Sequence, residues 1–389
     1  MKNKILKDAA AISEKIIAHR RHIHALAEVG FDLPRTKEYV KNTLLSLGCS
    51  PRELGRCGLI CDIGEGEDYI LLRADMDALP ITEKSGVDFA AANGNMHACG
   101  HDMHAAMLLG CAEILRLNEK KLRTRVRLMF QGAEELLAGA RDMLESGLFD
   151  GGAPRLALML HIISSSEVKN GVFLIPSGGT VAPSADFFKI EICGMASHGA
   201  APFEGINAAS AAASIVLAIE GAVAASASLG GGSIASVGRI FSGETANTVP
   251  ELAVVEGSVR AFSRDEGAKL IGKITLAAEH AAMARGATAK LTVTASAPPL
   301  INDKASAERA FRLSRELFGD EAQSVPEGMR GGGSEDFAYI SEAAPSVMIA
   351  LSAGKKGALH SPYAVFDEGV LHRGSALLSY IAMRGLDTR

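Results

Sequence analysis

Apolar side chains recur every three to four positions over the first 47 residues, the spacing of one helical face, and Gly48 supplies a stop. The pattern therefore predicts helix over residues 4–47. A different rhythm follows. Tyr69-Ile70-Leu71-Leu72-Arg73-Ala74 is a short apolar run closing on Asp75-Met76-Asp77. Val126-Arg127-Leu128-Met129-Phe130 closes on Gln131-Gly132-Ala133-Glu134-Glu135, and Leu156-Ala157-Leu158-Met159-Leu160 closes on His161. Short apolar runs that end in polar residues, with helical stretches between them, predict a largely parallel α/β sheet whose site lies along the strand C-termini.

The rhythm changes again near residue 180. Phe187 to Ile192 alternates as a half-exposed strand does, and an Ala-rich helix follows. Then come predicted strands at Ser233 to Ile240 and Ala253 to Ala261, a helix from Asp265 to Arg285, and a strand at Lys290 to Thr294. This β-α-β-β-α-β order predicts a two-layer sandwich. Helix–strand alternation resumes through Ala305 to Phe318, Ser346 to Leu351 and Asp367 to Met383. The smaller domain, residues 183–296, is thus expected to be inserted into a larger one made of 1–182 and 297–389. A chain of 389 residues is long enough for two cores.

Candidate chemistry concentrates in Met96-His97-Ala98-Cys99-Gly100-His101-Asp102-Met103-His104, followed at a distance by the acidic pair Glu134-Glu135. Thiolate and imidazole beside carboxylate is the donor mixture of a water-activating transition-metal site. Neighbouring residues of a regular strand point to opposite sides, but at a strand end turning into a helix Glu134 and Glu135 can reach one cavity in different roles. Asp75 and Asp77 are expected to orient a ligand imidazole, and His97 and His104 to shape the site without binding metal.

Composition narrows the function classes. A net charge of −5, with no Lys/Arg run, excludes nucleic acid and an anionic membrane as expected partners. Ala208 to Leu229 is apolar enough to suggest a span, but it is Ala- and Ser-rich and carries Glu220, which predicts a packed helix. Lys2, Lys4 and Lys7 interrupt any signal-peptide core, and the six scattered cysteines form no disulfide framework, so a cytoplasmic location is expected.

Five segments occur in order: Arg73-Ala-Asp75-Met-Asp77-Ala-Leu-Pro80, Met96-His-Ala-Cys99-Gly-His101-Asp102, Phe130-Gln-Gly-Ala-Glu134-Glu135, Gly333-Ser-Glu335-Asp336-Phe337 and His360-Ser361. Together they resemble the M20 metallopeptidases, in the branch of N-acyl-amino-acid amidohydrolases that includes hippurate hydrolases, auxin-conjugate hydrolases and acetyl-diaminopimelate deacetylases. The resemblance spans nearly the whole chain. It implies a phosphorylase/hydrolase-like α/β catalytic domain with an inserted α+β lid and dimerisation domain, and hence a homodimer or higher homo-oligomer.

It also implies two divalent metal ions, drawn from zinc, manganese, cobalt and nickel. Cys99 would bridge them as thiolate, with His101 and Glu135 on one side and His161 and His360 on the other. Five protein ligands leave room for water and a substrate carbonyl. The residual positive charge of such a centre suits acyl compounds with a free carboxylate. Glu134 would be the proton carrier, and His198 of the lid, in Ser197-His198-Gly199, would polarise the scissile carbonyl.

Asn247, Arg260 and Glu335 would bind substrate, the first two through its carboxylate. The expected activity is metal-dependent hydrolysis of an N-acyl amino acid to a carboxylate and a free amino acid. Three alternatives stand beside it: a dipeptidase or carboxypeptidase on the same scaffold, a catalytically silent metal-binding relative, and a Cys99 thiol hydrolase. Gly132, Met159, Ser197 and the stretch from Ile162 to Gly171 depart from the family's usual form, the last bearing on acyl preference.

Overall fold

The computed structural model describes residues 1–226, 232–326 and 333–384. The chain begins with helices α1 (Lys2–Ala11), α2 (Ser13–Leu26) and α3 (Pro34–Ser46), where the sequence pattern predicted one helical stretch. The pattern misses the stops. Ala27 is left-handed at φ 35°, Gly30 at φ 58°, and Pro34 opens α3, where its missing N–H has no helical partner to lose. The segment between is used: Val29 bridges to Ala78 beside the future site.

Strands β1 (Arg52–Leu54), β2 (Gly58–Ile63) and β3 (Tyr69–Asp75) follow, then helix α4 (His101–Leu117), strand β4 (Arg125–Gln131), helix α5 (Gly139–Glu145), and strands β5 (Leu156–Ile163) and β6 (Phe173–Pro176). The chain then passes through β7 (Ala185–Cys193), α6 (Ala208–Ala224), β8 (Ile234–Ser242), β9 (Leu252–Arg260), α7 (Arg264–Met283) and β10 (Thr288–Ala297). It finishes with α8 (Lys304–Phe318), β11 (Ala322–Val325), α9 (Ala338–Ala343), β12 (Ser346–Ser352) and α10 (Leu371–Arg384).

Two compact units result. The first takes Met1–Val181 and, apart from Gly333, Ser334 and Glu335, the described residues from Ile301 on. Its eight strands lie in the order β1-β2-β4-β3-β5-β12-β6-β11. The four central strands are mutually parallel, as β3 pairs with β4 and β5, and β5 with β12. The outer pairings of β1 with β2, β2 with β4 and β6 with β12 are antiparallel, so the sheet is mixed. Because β4 and β5 flank β3 on opposite sides, the chain reverses its winding at β3. That opens a crevice at the strand C-termini, the usual ligand position in such sheets.

β3 is buried along its whole length, as a central parallel strand should be. His161 does not end its strand as expected. β5 runs two residues further, to Ile163, because β12 still pairs alongside through Ser352. Helices α1, α2, α4, α8 and α10 supply Ile5, Ile16, Ile23, Met103, Leu108, Leu313, Leu377 and Ile381 to one hydrophobic core with the strand residues Leu72, Leu128, Leu158 and Ile349.

The second unit takes Ala182–Leu300 together with Gly333, Ser334 and Glu335. Its sheet, in the order β8-β9-β7-β10, is antiparallel throughout. Phe188, Ile190, Ile192 and Val255 of the sheet pack on Ala212, Ile215, Leu270 and Ile274 of α6 and α7, giving a two-layer sandwich. The apolar stretch expected to be a packed helix is α6, which ends at Ala224; residues 227–229 of that stretch lie outside the described residues. Among the described residues no helix is long and apolar enough to cross a membrane. Gly331 and Gly332 also lie outside them.

Candidate metal centre

The parallel strands deliver their terminal polar residues to one place. Asp75 and Gln131 are paired in register at the ends of β3 and β4, and His161 stands near the end of β5. Cys99 lies just before α4, whose entry is set by Gly100 in the left-handed region at φ 84°. A Cβ at Gly100 would collide with the Ile162 side chain, so the loop can approach β5 only with glycine there.

Donor atoms of Cys99, His101 and His161 lie within 4.8 Å of one another, and so do those of Cys99, Glu135 and His360, and of His101, Glu134 and Glu135. Cys99 Sγ is 3.7 Å from His161 Nε2, and His360 Nε2 is 3.6 Å from Glu135 Oε1. The structure thus gathers Cys99, His101, Glu134, Glu135, His161 and His360 around one point. His360 is held there by its own N–H, which donates to Ala98 O at 2.9 Å, and by a left-handed backbone at φ 63°.

A tight turn presents the acidic pair. After β4, Ala133 and Leu137 take positive φ of 56° and 53°, and the N–H groups of Ala138 and Gly139 both return to Ala133 O. Asp77 then fixes both carboxylate-bearing residues at once. Its Oδ1 accepts the Glu134 N–H and its Oδ2 the Glu135 N–H, each at 3.1 Å. Asp77 Oδ1 also lies 3.4 Å from His101 Nδ1. Asp75 accepts from His104 Nδ1 at 2.6 Å and from Arg73 at 2.6 Å. Sequence reasoning assigned Arg73 and Asp336 no role. Arg73 nevertheless donates to Gln131, Asp75 and Asp336 within the core, and Gln131 and the Ala140 N–H both donate to Asp336. The available signal was a single arginine inside an unbroken apolar run.

Do these residues fit a divalent cation? His101 is fully buried, and neither ring nitrogen is hydrogen-bonded. Its Nε2 faces Asp75 at 3.8 Å, Glu134 at 3.8 Å and Glu135 at 3.9 Å. An unbonded buried imidazole facing carboxylates just beyond hydrogen-bond reach is the arrangement a cation would complete. His161 is set for the same purpose. Its Nδ1–H donates to Ile162 O at 2.6 Å, leaving the Nε2 lone pair toward Cys99. The residues fit.

The electrostatics agree. Burial pushes the Cys99 thiol up to about 12, with Glu135 and Glu134 adding to the rise against the pull of His101. Burial alone would lower His101, but Asp75, Cys99 and Asp77 together hold it well above its ordinary value. Burial takes His161 down to about 3, so it stays neutral and free to ligate. Asp75 is well below the usual carboxylate range; burial opposes this, and His101, Arg73 and His104 outweigh it.

In the second unit, Ser197–His198 pairs with Thr248–Val249, with His198 opposite Thr248. The Gly199 N–H donates to Asn247 O at 2.7 Å, so His198 and Asn247 are brought to one short ladder. His198 is exposed, and its Nδ1 accepts the Ala200 N–H at 3.0 Å. Arg260 donates to Ser334 Oγ at 2.7 Å, and the neighbouring Glu335 is buried.

Residues 71–384 match the family model of peptidase family M20/M25/M40. The chain is 32% identical over 383 residues to an N-acetyl-L-cysteine deacetylase of Bacillus subtilis, covering 97% of this chain and 90% of that one. It is also 32% identical over 378 residues to an IAA-amino acid hydrolase of Arabidopsis thaliana, covering 94% and 84%. Among solved structures, the Bacillus subtilis YXEP protein, a dinuclear metal binding peptidase from the M20 family, superimposes with a TM-score of 0.79 at 28% identity, covering 98% of this chain and 100% of that one. The match supports divalent metal binding by this fold.

Two outcomes follow from the geometry. A Cβ at Gly139 would run into the carbonyl oxygen of Gly132. Gly139→Ala is therefore expected to cost about 1–3 kcal/mol in urea unfolding, with loss of metal affinity as the Glu134–Glu135 turn opens. Second, the metal-free site holds protons on Cys99 and His101 that a cation must displace. Calorimetry in buffers of different ionisation enthalpy should show net proton release on metal binding, with affinity rising as pH rises. Proton uptake would contradict the assignment.

Proposed function

The chain belongs to peptidase family M20/M25/M40, and on that premise we propose that it is a metal-dependent amidohydrolase cleaving N-acyl amino acids into a carboxylate and a free amino acid. The observation that carries the reading is the placement of Glu134. It shares a turn with Glu135, is oriented through the same Asp77 carboxylate, and lies 3.8 Å from His101 Nε2. A site that only bound metal would have no use for this second carboxylate.

In this reading Cys99, His101, Glu135, His161 and His360 would hold two divalent ions. A thiolate–imidazole–carboxylate set suits zinc, cobalt, nickel or manganese. Bound there, the ions would supply Lewis acidity to the attacking water and the scissile carbonyl. Glu134 takes the proton from that water and delivers it to the leaving nitrogen. Asp77 keeps the Glu134 backbone in place while the side chain changes protonation. His198 polarises the carbonyl oxygen as negative charge develops there. Arg260 and Asn247 receive the substrate carboxylate, with Glu335 lining the same region.

Deacetylase and IAA-amino acid hydrolase names among the relatives favour acyl amino acids over free peptides as the substrate class. A homodimer or higher homo-oligomer belongs to the same reading. β8 is an edge strand of the second unit's sheet, and it exposes Ile234, Ile240 and Phe241. All six cysteines are unpaired thiols, which suits work in the reducing cytoplasm.

The test is amine release from N-acetyl, N-benzoyl and long-chain N-acyl amino acids and from dipeptides, by zinc- or manganese-loaded protein. Wild type should turn over an N-acyl amino acid. Glu134→Gln should keep its metal and lose about 100- to 10,000-fold in kcat. Dipeptide cleavage alone would move the chain to the dipeptidase reading, and metal binding without any turnover would make it a silent relative.

A further inference from the structure

We propose that His104 is a positioning residue for His161, standing in for a missing strand so that the His161 ring is aimed by the backbone of Ile162. The inference rests on the reading of His161 as a metal ligand. It concerns a histidine to which that reading gives no part.

β5 pairs with β3 only as far as Arg73 opposite Met159, and β3 ends at Asp75, one position short of the level of Ile162. Peptide groups alternate sides along a strand, and the Ala157 N–H points to β12's side, donating to Pro345 O. The Ile162 N–H therefore points to the side where β3 has stopped. A buried N–H without a partner is costly. His104, in the first turn of α4, fills the place: its Nε2 accepts the Ile162 N–H at 2.9 Å.

That single bond fixes the tautomer. Since Nε2 accepts, the proton sits on Nδ1, which donates to Asp75 Oδ1 at 2.6 Å. Asp75 is in turn held by Arg73 at 2.6 Å, and Arg73 by Gln131 and Asp336. Every member from Arg73 to His104 is buried. Both ring nitrogens of His104 are thus occupied by protein groups, which removes it from the donor set although Asp75, His101 and His104 cluster closely enough to hold an ion.

Ile162 is gripped on three sides. Its N–H goes to His104, its C=O accepts from His161 Nδ1 at 2.6 Å, and its side chain fills the space a Cβ on Gly100 would need. The two imidazole rings meet edge-on with centroids 4.6 Å apart. Moving His104 therefore moves the carbonyl that aims His161 Nε2 at Cys99.

Two side chains separate the two bonds. Gln at position 104 can place an amide oxygen near the former Nε2 and accept from Ile162. Asn can donate to Asp75 from near the former Nδ1 but falls short of Ile162. Metal-free wild type, H104Q, H104N and H161A would be titrated with Co(II) alone, following the thiolate-to-cobalt absorption of Cys99 and the equivalents bound, with Tm of each metal-free variant as the structural control.

The expected result is two equivalents for wild type and H104Q. One equivalent is weakened by about 10- to 100-fold in H104N, and the same equivalent is lost in H161A. If H104N lowers Tm but binds both equivalents like wild type, or if H104Q and H104N behave alike, the positioning role is overturned while the metal assignment stands. If H161A also binds both equivalents undiminished, the ligand assignment itself falls.

Discussion

The structure turns on four carboxylates gathered around one buried imidazole. Asp75, Asp77, Glu134 and Glu135 all come within 3.9 Å of the buried His101 ring. Burying carboxylates is costly unless they are paired or coordinated. Arg73 answers Asp75, and backbone N–H groups answer Asp77. His101 Nε2 lies 3.8 Å from Glu134 and 3.9 Å from Glu135, and neither ring nitrogen of His101 is hydrogen-bonded. Donor atoms grouped in this way can hold a divalent cation.

That constraint explains why so much of the surrounding scaffold is polar and yet fully buried. The Arg73–Gln131–Asp336 cluster joins β3, β4 and the turn into α9, and Asp336 also receives the Ala140 N–H at the start of α5. A network of this kind is rigid only if every member is satisfied. A second one, Arg20 and His24 of α2 with Asp102, Glu83 and Glu368, fastens that helix to the residue beside His101. The metal residues come from four separate segments, so precision has to be imposed by such cross-links.

Much of this was legible beforehand, for identifiable reasons. A fully buried parallel strand shows itself as an apolar run, so β3, β4 and β5 stand out, and so do the polar residues closing β3 and β4. The alternation of Phe187 to Ile192 likewise announced a sheet with one covered face. Helix ends were less legible. Residues 4–47 keep a helical rhythm across two breaks, because Ala27 adopts a left-handed conformation that nothing in its type requires. Of the site residues, Cys99, His101 and the acidic pair declare themselves by proximity in sequence. His161 and His360 came by resemblance, since their nearness to Cys99 is a product of sheet order and not of spacing. Asp77 was expected to orient an imidazole, and it does lie beside His101. Its grip on two backbone N–H groups of another loop has no sequence signature. Asp75 was expected to serve a ligand imidazole, yet its short bond goes to His104.

The most direct test of this account is an anomalous-scattering map from crystals grown with zinc or manganese, collected on both sides of the metal's absorption edge. The account predicts two peaks flanking Cys99 Sγ, one toward His101 and Glu135 and the other toward His161 and His360. A single peak held by Asp75 and His104, or no ordered metal beside Cys99, would contradict it.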